Sequence, residues 1–167
     1  AATIAGLVLE VRKRGNRTTL ILDDRSARME VQMFEETFQQ HKSLIAKDAI
    51  LVVEGKLRFD EFIEDWRLNA QKLMDIDQAR EQLARRLIIR WPDRADGLRL
   101  LANLEDVLKP HTKGRCGVAI HYTGASARAA LSLGEAWSVR PSRELIDSLH
   151  RLVGRDGVQL VYGPKLD

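Results

Sequence analysis

Residues 11–34, VRKRGNRTTLILDDRSARMEVQMF, constrain the fold more than any other part of the chain. In ARMEVQMF, Ala27, Met29, Val31 and Met33 alternate with Arg28, Glu30 and Gln32, the period-two pattern of a half-buried strand. RTTLILDD and TIAGLVLEVRKR read as two strands before it, the pair turning at Gly15-Asn16. Asp23 and Asp24 end the middle strand and begin the turn DDRSA, where Asp is favoured because its carboxylate bonds to nearby backbone N–H groups.

A helix and two further strands follow. FEETFQQHKSLI places Phe34, Phe38, His41 and Ile45 on one helical face, with His41 packed or at its rim. AILVVEGKLRF and DWRLNAQKLMDI then read as strands joined by the acidic loop DEFIE. Three strands, a helix and two strands within residues 1–76 is the element order of an OB-fold, a five-stranded Greek-key barrel. Gly6 and Gly55 suit its bends, since glycine inside a strand marks a bulge or a barrel corner.

The pattern changes at Asp77. DQAREQLARR, residues 77–86, reads as a linker helix, and residues 87–167 as a small α+β domain of order βαβββαβ with helices on one side of a mixed sheet. Its strands are LIIRW, CGVAIHYT, RAALSL, AWSV and GVQLVY. Its helices are GLRLLANLEDVLK and SRELIDSLHRLVG, the second closed by Gly154 as a C′ residue. The two-domain reading fits 167 residues of which 44% are hydrophobic. Apolar runs such as Leu87-Ile88-Ile89 fall far short of the roughly 20 residues of a membrane helix, and no signal segment opens the chain. A soluble, cytoplasmic protein is expected. The start at Ala1, without methionine and almost directly in a strand pattern, points to a piece of a longer protein.

A catalytic site should appear as a cluster of nucleophile, base and oxyanion or metal groups, and none is visible. His41, His111, His121 and His150 are far apart and lack metal-ligand spacing, and there is no phosphate-binding glycine loop. The acidic loop Asp60, Glu61, Glu64 and Asp65 reads as solvated rather than metal-binding. Cys116, the one cysteine, has no internal partner and reads as a buried, inert thiol. No cofactor, metal or catalytic residue is expected.

The distinctive chemistry is at the first hairpin, where Arg12, Lys13, Arg14 and Arg17 surround Gly15-Asn16. In an OB-fold the loops between the first two strands and between the fourth and fifth flank the face that grips single-stranded nucleic acid. The cations would neutralise phosphates, with Arg28, Lys56 and Arg58 extending the set. Bases would stack on Phe59, Phe62 or Trp66, near the second loop; Phe34 is assigned to the helix core. The alternative is a hairpin whose charges only solubilise it and discourage edge pairing. Residues 1–76 carry 12 Lys and Arg against 13 Asp and Glu, so binding is expected to be weak and salt-sensitive. Residues 77–167 carry 15 against 11.

These segments carry a resemblance. LVLEVRKRGNRTTLILDDRSARMEVQMFEETFQQH, AILVVEGKLRFDEF and RLNAQKLMDIDQAR resemble the OB domain of the bacterial replicative DNA polymerase III alpha subunit. LKPHTKGRCGVAIHYTGASARAALSLGEAWSVRPSRELIDSLHRLVG resembles the same family's C-terminal domain. The resemblance implies a non-catalytic part of a DNA-directed DNA polymerase, a nucleotidyltransferase, whose active site and sliding-clamp motif lie upstream. It implies an OB domain near single-stranded template and a C-terminal domain that binds the clamp-loader tau subunit, with other replisome subunits reached through the parent chain. For tau the candidates are Leu152, Val153, Leu160, Val161, Tyr162 and Leu166, among which sequence does not separate core from interface. The family's turn after the second strand carries Thr-Gly; here it is Ser26-Ala27, and alanine disfavours positive φ, so another turn geometry is expected.

Two other readings remain open. An anticodon-binding OB module of a class II aminoacyl-tRNA synthetase would read RNA by stacking, but residues 77–167 are too few for its catalytic domain. A small hydrolase in the second half would need a nucleophile and base that the sequence does not show.

Overall fold

Strand β1 (Ala2–Arg14) is long enough to pair with two neighbours, and this closes a barrel. Its first half, Ala2 to Leu7, pairs antiparallel with β4 (Ile50–Asp60), and its second half, Leu7 to Arg14, with β2 (Arg17–Asp23). Gly6 sits just before the change of partner, and a bulge follows between Val8 and Glu10. β3 (Arg28–Phe34) pairs antiparallel with β2 and parallel with β5 (Asp65–Met74), and β5 returns to β4. The closed order β1-β2-β3-β5-β4 is that of an OB barrel, as the sequence order indicated. The computed structural model describes residues 1–62, 64–92 and 97–163.

Alternation fills the barrel. Val31 and Met33 point inward from β3 and meet Val8, Leu20, Leu51 and Leu68 in one buried cluster. Each such side chain contributes about 1.5–3 kcal/mol by leaving water. Gly55 lies at a bulge in β4, where a Cβ would run into the backbone carbonyl of Asn69, so the close crossing of β4 and β5 requires glycine. The turn after β2 is built by side chains: the Asp24 carboxylate accepts from the N–H of Ser26 (2.9 Å) and Ala27 (3.0 Å) and from the Ser26 hydroxyl (2.6 Å). These bonds pull the Asp24 pKa down to about 2. The positive φ falls on Arg25 (74°), not on Ala27.

Helix α1 (Glu35–His41) is shorter than its apolar spacing predicts. Phe34 is its N-cap in an extended conformation, not part of its face, and Phe38 and Ile45 pack against the barrel core without it. His41 is half-buried, and its Nδ1 donates to the Thr37 carbonyl at 2.9 Å. Helix α2 (Ile76–Leu83) begins with a reciprocal cap: the Gln78 N–H donates to the Asp75 carboxylate (2.7 Å) and the Asp75 N–H to the Gln78 side chain (3.2 Å).

The chain divides into two compact units, Ala1–Ala79 and Arg80–Asp167. The second holds β6 (Ala84–Trp91), α3 (Gly97–Leu108), β7 (Thr112–Thr123), β8 (Arg128–Ser132), α4 (Arg143–Val153) and β9 (Val158–Tyr162). Its sheet order is β8-β7-β6-β9, with β6 and β7 parallel and the outer strands antiparallel. Leu87, Ile89, Val118 and Cys116 from the sheet share one core with Leu104 and Leu149 of the helices. α4 starts at Ser142, whose Oγ accepts from the Leu145 N–H at 3.2 Å, and stops at Gly154, whose φ is 83°.

The strand expected at AWSV does not form, so the order is βαββαβ. Glu135–Trp137 is a 3-10 turn in which Trp137 N–H donates to Gly134 and Ser138 N–H to Glu135, both at 2.9 Å. With these groups bonded locally, pairing with β7 is reduced to isolated bridges of Val139, whose side chain is buried, to Thr112 and Cys116, and to the Gly114 N–H donating to the Ser138 carbonyl at 3.1 Å.

Candidate nucleic-acid interface

Arg14 and Arg17 pair across the first hairpin, leaving the two-residue loop Gly15-Asn16. Gly15 takes a φ of 58°, the glycine-first form of a II′ hairpin. The cations it brings together are not equivalent. The Arg12 guanidinium donates to both oxygens of Glu10 (2.5 and 2.6 Å), a neighbour two residues away on the same face of β1. Lys13 Nζ lies 3.0 Å from the Glu35 carboxylate and 5.0 Å from the centre of the Phe38 ring. Hydrogen bonding from Arg12 holds the Glu10 pKa below its ordinary value. Gln39, then Lys13, does the same for Glu35. Arg14 is exposed and has no ion-pair partner among the described residues.

Beside the hairpin a groove of about 780 Å³ runs along the barrel's outer face. Its floor comes from outward positions of three adjacent strands, Gln32 and Phe34 on β3, Arg67 and Asn69 on β5, and Lys56 and Arg58 on β4. α1 contributes Glu36, Thr37 and Gln40 to one side. Phe59, Asp60, Glu61 and Phe62, at the β4 to β5 turn, line it as well. Arg17, directly opposite Phe34 in the ladder, stacks its guanidinium 5.5 Å from that ring's centre. Arg67 is held between Glu30 (2.9 Å) and Asp60, so its charge is already balanced. Lys56 and Arg58 have no ion-pair partner among the described residues.

The sequence-predicted residues therefore separate. Arg17, Lys56, Arg58 and Phe59 line the groove. Trp66 does not line it but stands edge-on to Phe59, ring centres 5.5 Å apart at 71°, as its cross-strand neighbour. Arg28 is tied to Asp23 at 3.1 Å, while Arg12 and Lys13 face their own carboxylates. Phe34 corrects the sequence reading: it is 61% exposed and lines the groove. Its parity gave the signal, since Arg28, Glu30, Gln32 and Phe34 continue one outward series on β3. The groove amides were also missed, because single Gln and Asn residues in strands carry no motif.

In the second unit Leu152, Val153 and Leu160 pack, partly buried, against the core. Val161 is half-buried, Tyr162 is 53% exposed, and Leu166 lies outside the described residues. Cys116 is buried and its thiol is pushed up to about 11 by desolvation, as expected of an inert thiol. Among the described residues no three His, Cys, Asp or Glu side chains converge as metal ligands, and no helix is long and apolar enough to cross a membrane.

Comparison with known proteins agrees with this architecture. The family described as OB-fold nucleic acid binding domain matches residues 2–76, and that described as DNA polymerase III subunit alpha, C-terminal domain, matches residues 103–154. The DNA polymerase III subunit alpha of Escherichia coli K12 is 42% identical over 165 residues, which is 96% of this chain and 14% of that protein. The chain belongs to the DNA polymerase III alpha subunit family, in its C-terminal region. The alpha subunits of Vibrio cholerae and Haemophilus influenzae are 39% and 31% identical, again over 96% of this chain and 14% of theirs. The chain thus spans about 14% of the length of the alpha subunits it matches. Within the family, its groove lies in the part matched by the nucleic-acid-binding OB description, and Leu152 and Val153 in the part matched by the C-terminal domain.

Proposed function

We propose that the barrel guides single-stranded template DNA past the polymerase and that the second unit binds the clamp-loader tau subunit, without catalysis by these residues. One observation carries the DNA reading: Arg17, Lys56 and Arg58 share a groove with the exposed rings of Phe34, Phe59 and Phe62. Cations meet phosphates and rings meet bases, the two contacts a single strand offers. Glu36, Asp60 and Glu61 in the same groove limit the affinity, so binding is weak and falls with salt. Titrating labelled oligo-dT by anisotropy tests this. Replacing Arg17, Lys56 and Arg58 with Ser should abolish most binding, and unchanged binding would refute the groove. tRNA in place of DNA tests the anticodon-module alternative.

The tau reading draws on the family membership and on Tyr162, which keeps a large exposed face at the end of β9. A tau pull-down with Tyr162→Ala should show reduced capture with an unchanged melting temperature. Full capture would move the contact elsewhere. Other replisome subunits would be reached through the parent chain.

A further inference from the structure

The groove holds a feature that phosphate neutralisation does not use. The carboxamides of Gln32 and Asn69 sit side by side on its floor, paired in the parallel β3 to β5 ladder, with strand backbones about 4.8 Å apart. Gln40 and Gln71 line the same groove. None of these four side chains makes a hydrogen bond to another described residue. Phe34, two residues beyond Gln32 on the same face of β3, stands next to this pair.

Resting on the single-strand reading above, we propose that Gln32 and Asn69, with Gln40 and Gln71 beside them, hydrogen-bond the edges of unpaired bases, so that the groove holds a strand by its bases whatever their identity. A base stacked on Phe34 would lie beside Gln32 and Asn69, which share the groove floor with that ring. In a duplex the Watson–Crick edges are already paired, whereas in a single strand they are open. A carboxamide presents both donors and an acceptor, and its terminal torsion is broad and roughly two-fold, so either end can be turned to a partner. Each base edge offers at least one complementary group. Arg and Lys offer donors only, and Asp and Glu acceptors only. A site lined by Asn and Gln is therefore tolerant of sequence while still requiring a base. A groove that must pass every template sequence needs both properties.

The test uses the 167-residue chain and labelled oligo-dT, oligo-dA and oligo-dC of equal length, an abasic strand of that length, and a duplex. The three homopolymers should bind within about threefold of one another, with the abasic strand and the duplex at least about tenfold weaker. Gln32→Ala with Asn69→Ala should lower affinity for oligo-dT by about 25-fold, roughly fivefold per neutral hydrogen bond, and leave the abasic affinity and the salt slope unchanged. Gln32→Met, which keeps the length without the amide, should give about fivefold alone. Equal loss on dT and abasic strands, no loss on dT, or strong preference for one homopolymer would overturn the proposal while leaving the groove a DNA site. Failure of every strand to bind would overturn both this and the reading it rests on.

Discussion

At the β1 to β2 hairpin Arg12 and Lys13 each face a carboxylate, Glu10 and Glu35, whereas Lys56 and Arg58 in the groove face none among the described residues. Both regions are basic in sequence, yet of Arg12, Lys13 and Arg14 the hairpin leaves only Arg14 unpaired among the described residues, whereas the groove leaves Lys56 and Arg58 to a ligand and sets exposed rings beside them. Register makes the difference. Glu10 shares Arg12's face of β1, and the start of α1 brings Glu35 to Lys13, 22 residues away. A cluster of cations along a chain is thus a poor measure of the phosphate-binding capacity of the folded surface.

Removing the charges of each region in turn should separate the two most widely. Arg17→Ser, Lys56→Ser and Arg58→Ser together should weaken oligo-dT binding on the order of 100-fold, from roughly 1 kcal/mol per contact. They should also flatten the salt dependence by about 2 log units per decade, at about 0.7 per phosphate of a single strand. Removing the hairpin's own pair, Arg12→Gln with Glu10→Gln, should change affinity less than about twofold, because the two charges already cancel. Equal losses from both would mean that the carboxylates do not screen the hairpin.

Stacking is the next largest effect. Phe34→Ala should reduce affinity about tenfold, within the 1–3 kcal/mol range per stacked base, with no loss of thermal stability because the ring is largely exposed. Phe34 also shows where sequence reasoning divides. The barrel was legible because alternation and turn residues act locally: Val31 and Met33 face the core, and Gly15 turns the first hairpin. Phe34 sits where two periodicities overlap, as the last residue of β3 and the first of an apparent helical stripe, and the strand pattern wins. At AWSV the apolar residues gave a strand signal, but local hydrogen bonds formed a 3-10 turn. Arg67's neutralisation by Glu30 and Asp60 joins three strands, so no local pattern could reveal it.

A smaller effect sharpens the same contrast from the other side. Glu10→Gln leaves Arg12 without its carboxylate and should tighten oligo-dT binding two- to threefold at low salt, steepening the salt slope by about 0.7 if Arg12 gains one phosphate. A weaker or unchanged affinity would show that Arg12 points away from the strand's path.

Acid should do the same without mutation, in a window set by the two carboxylates. Both Glu10 and Glu35 have pKa values lowered from 4.5, so both stay ionised from pH 7 down to pH 5 and gain protons only below the ordinary glutamate value. The bonds they make add stability that is fully present above the unfolded-state pKa and is lost as pH falls through the lowered folded-state pKa. Each proton gained releases a cation, Arg12 or Lys13, that can then meet a phosphate. Oligo-dT affinity should therefore be flat between pH 7 and pH 5 and rise below about pH 4.5, with thymine chosen because it takes up no proton in this range. The rise should be clearly smaller in a Glu10→Gln, Glu35→Gln variant, which keeps only the part due to Glu36, Asp60 and Glu61 of the groove. A rise already complete by pH 5, or one undiminished in that variant, would assign the effect to other groups and return the hairpin cations to the status of surface charge.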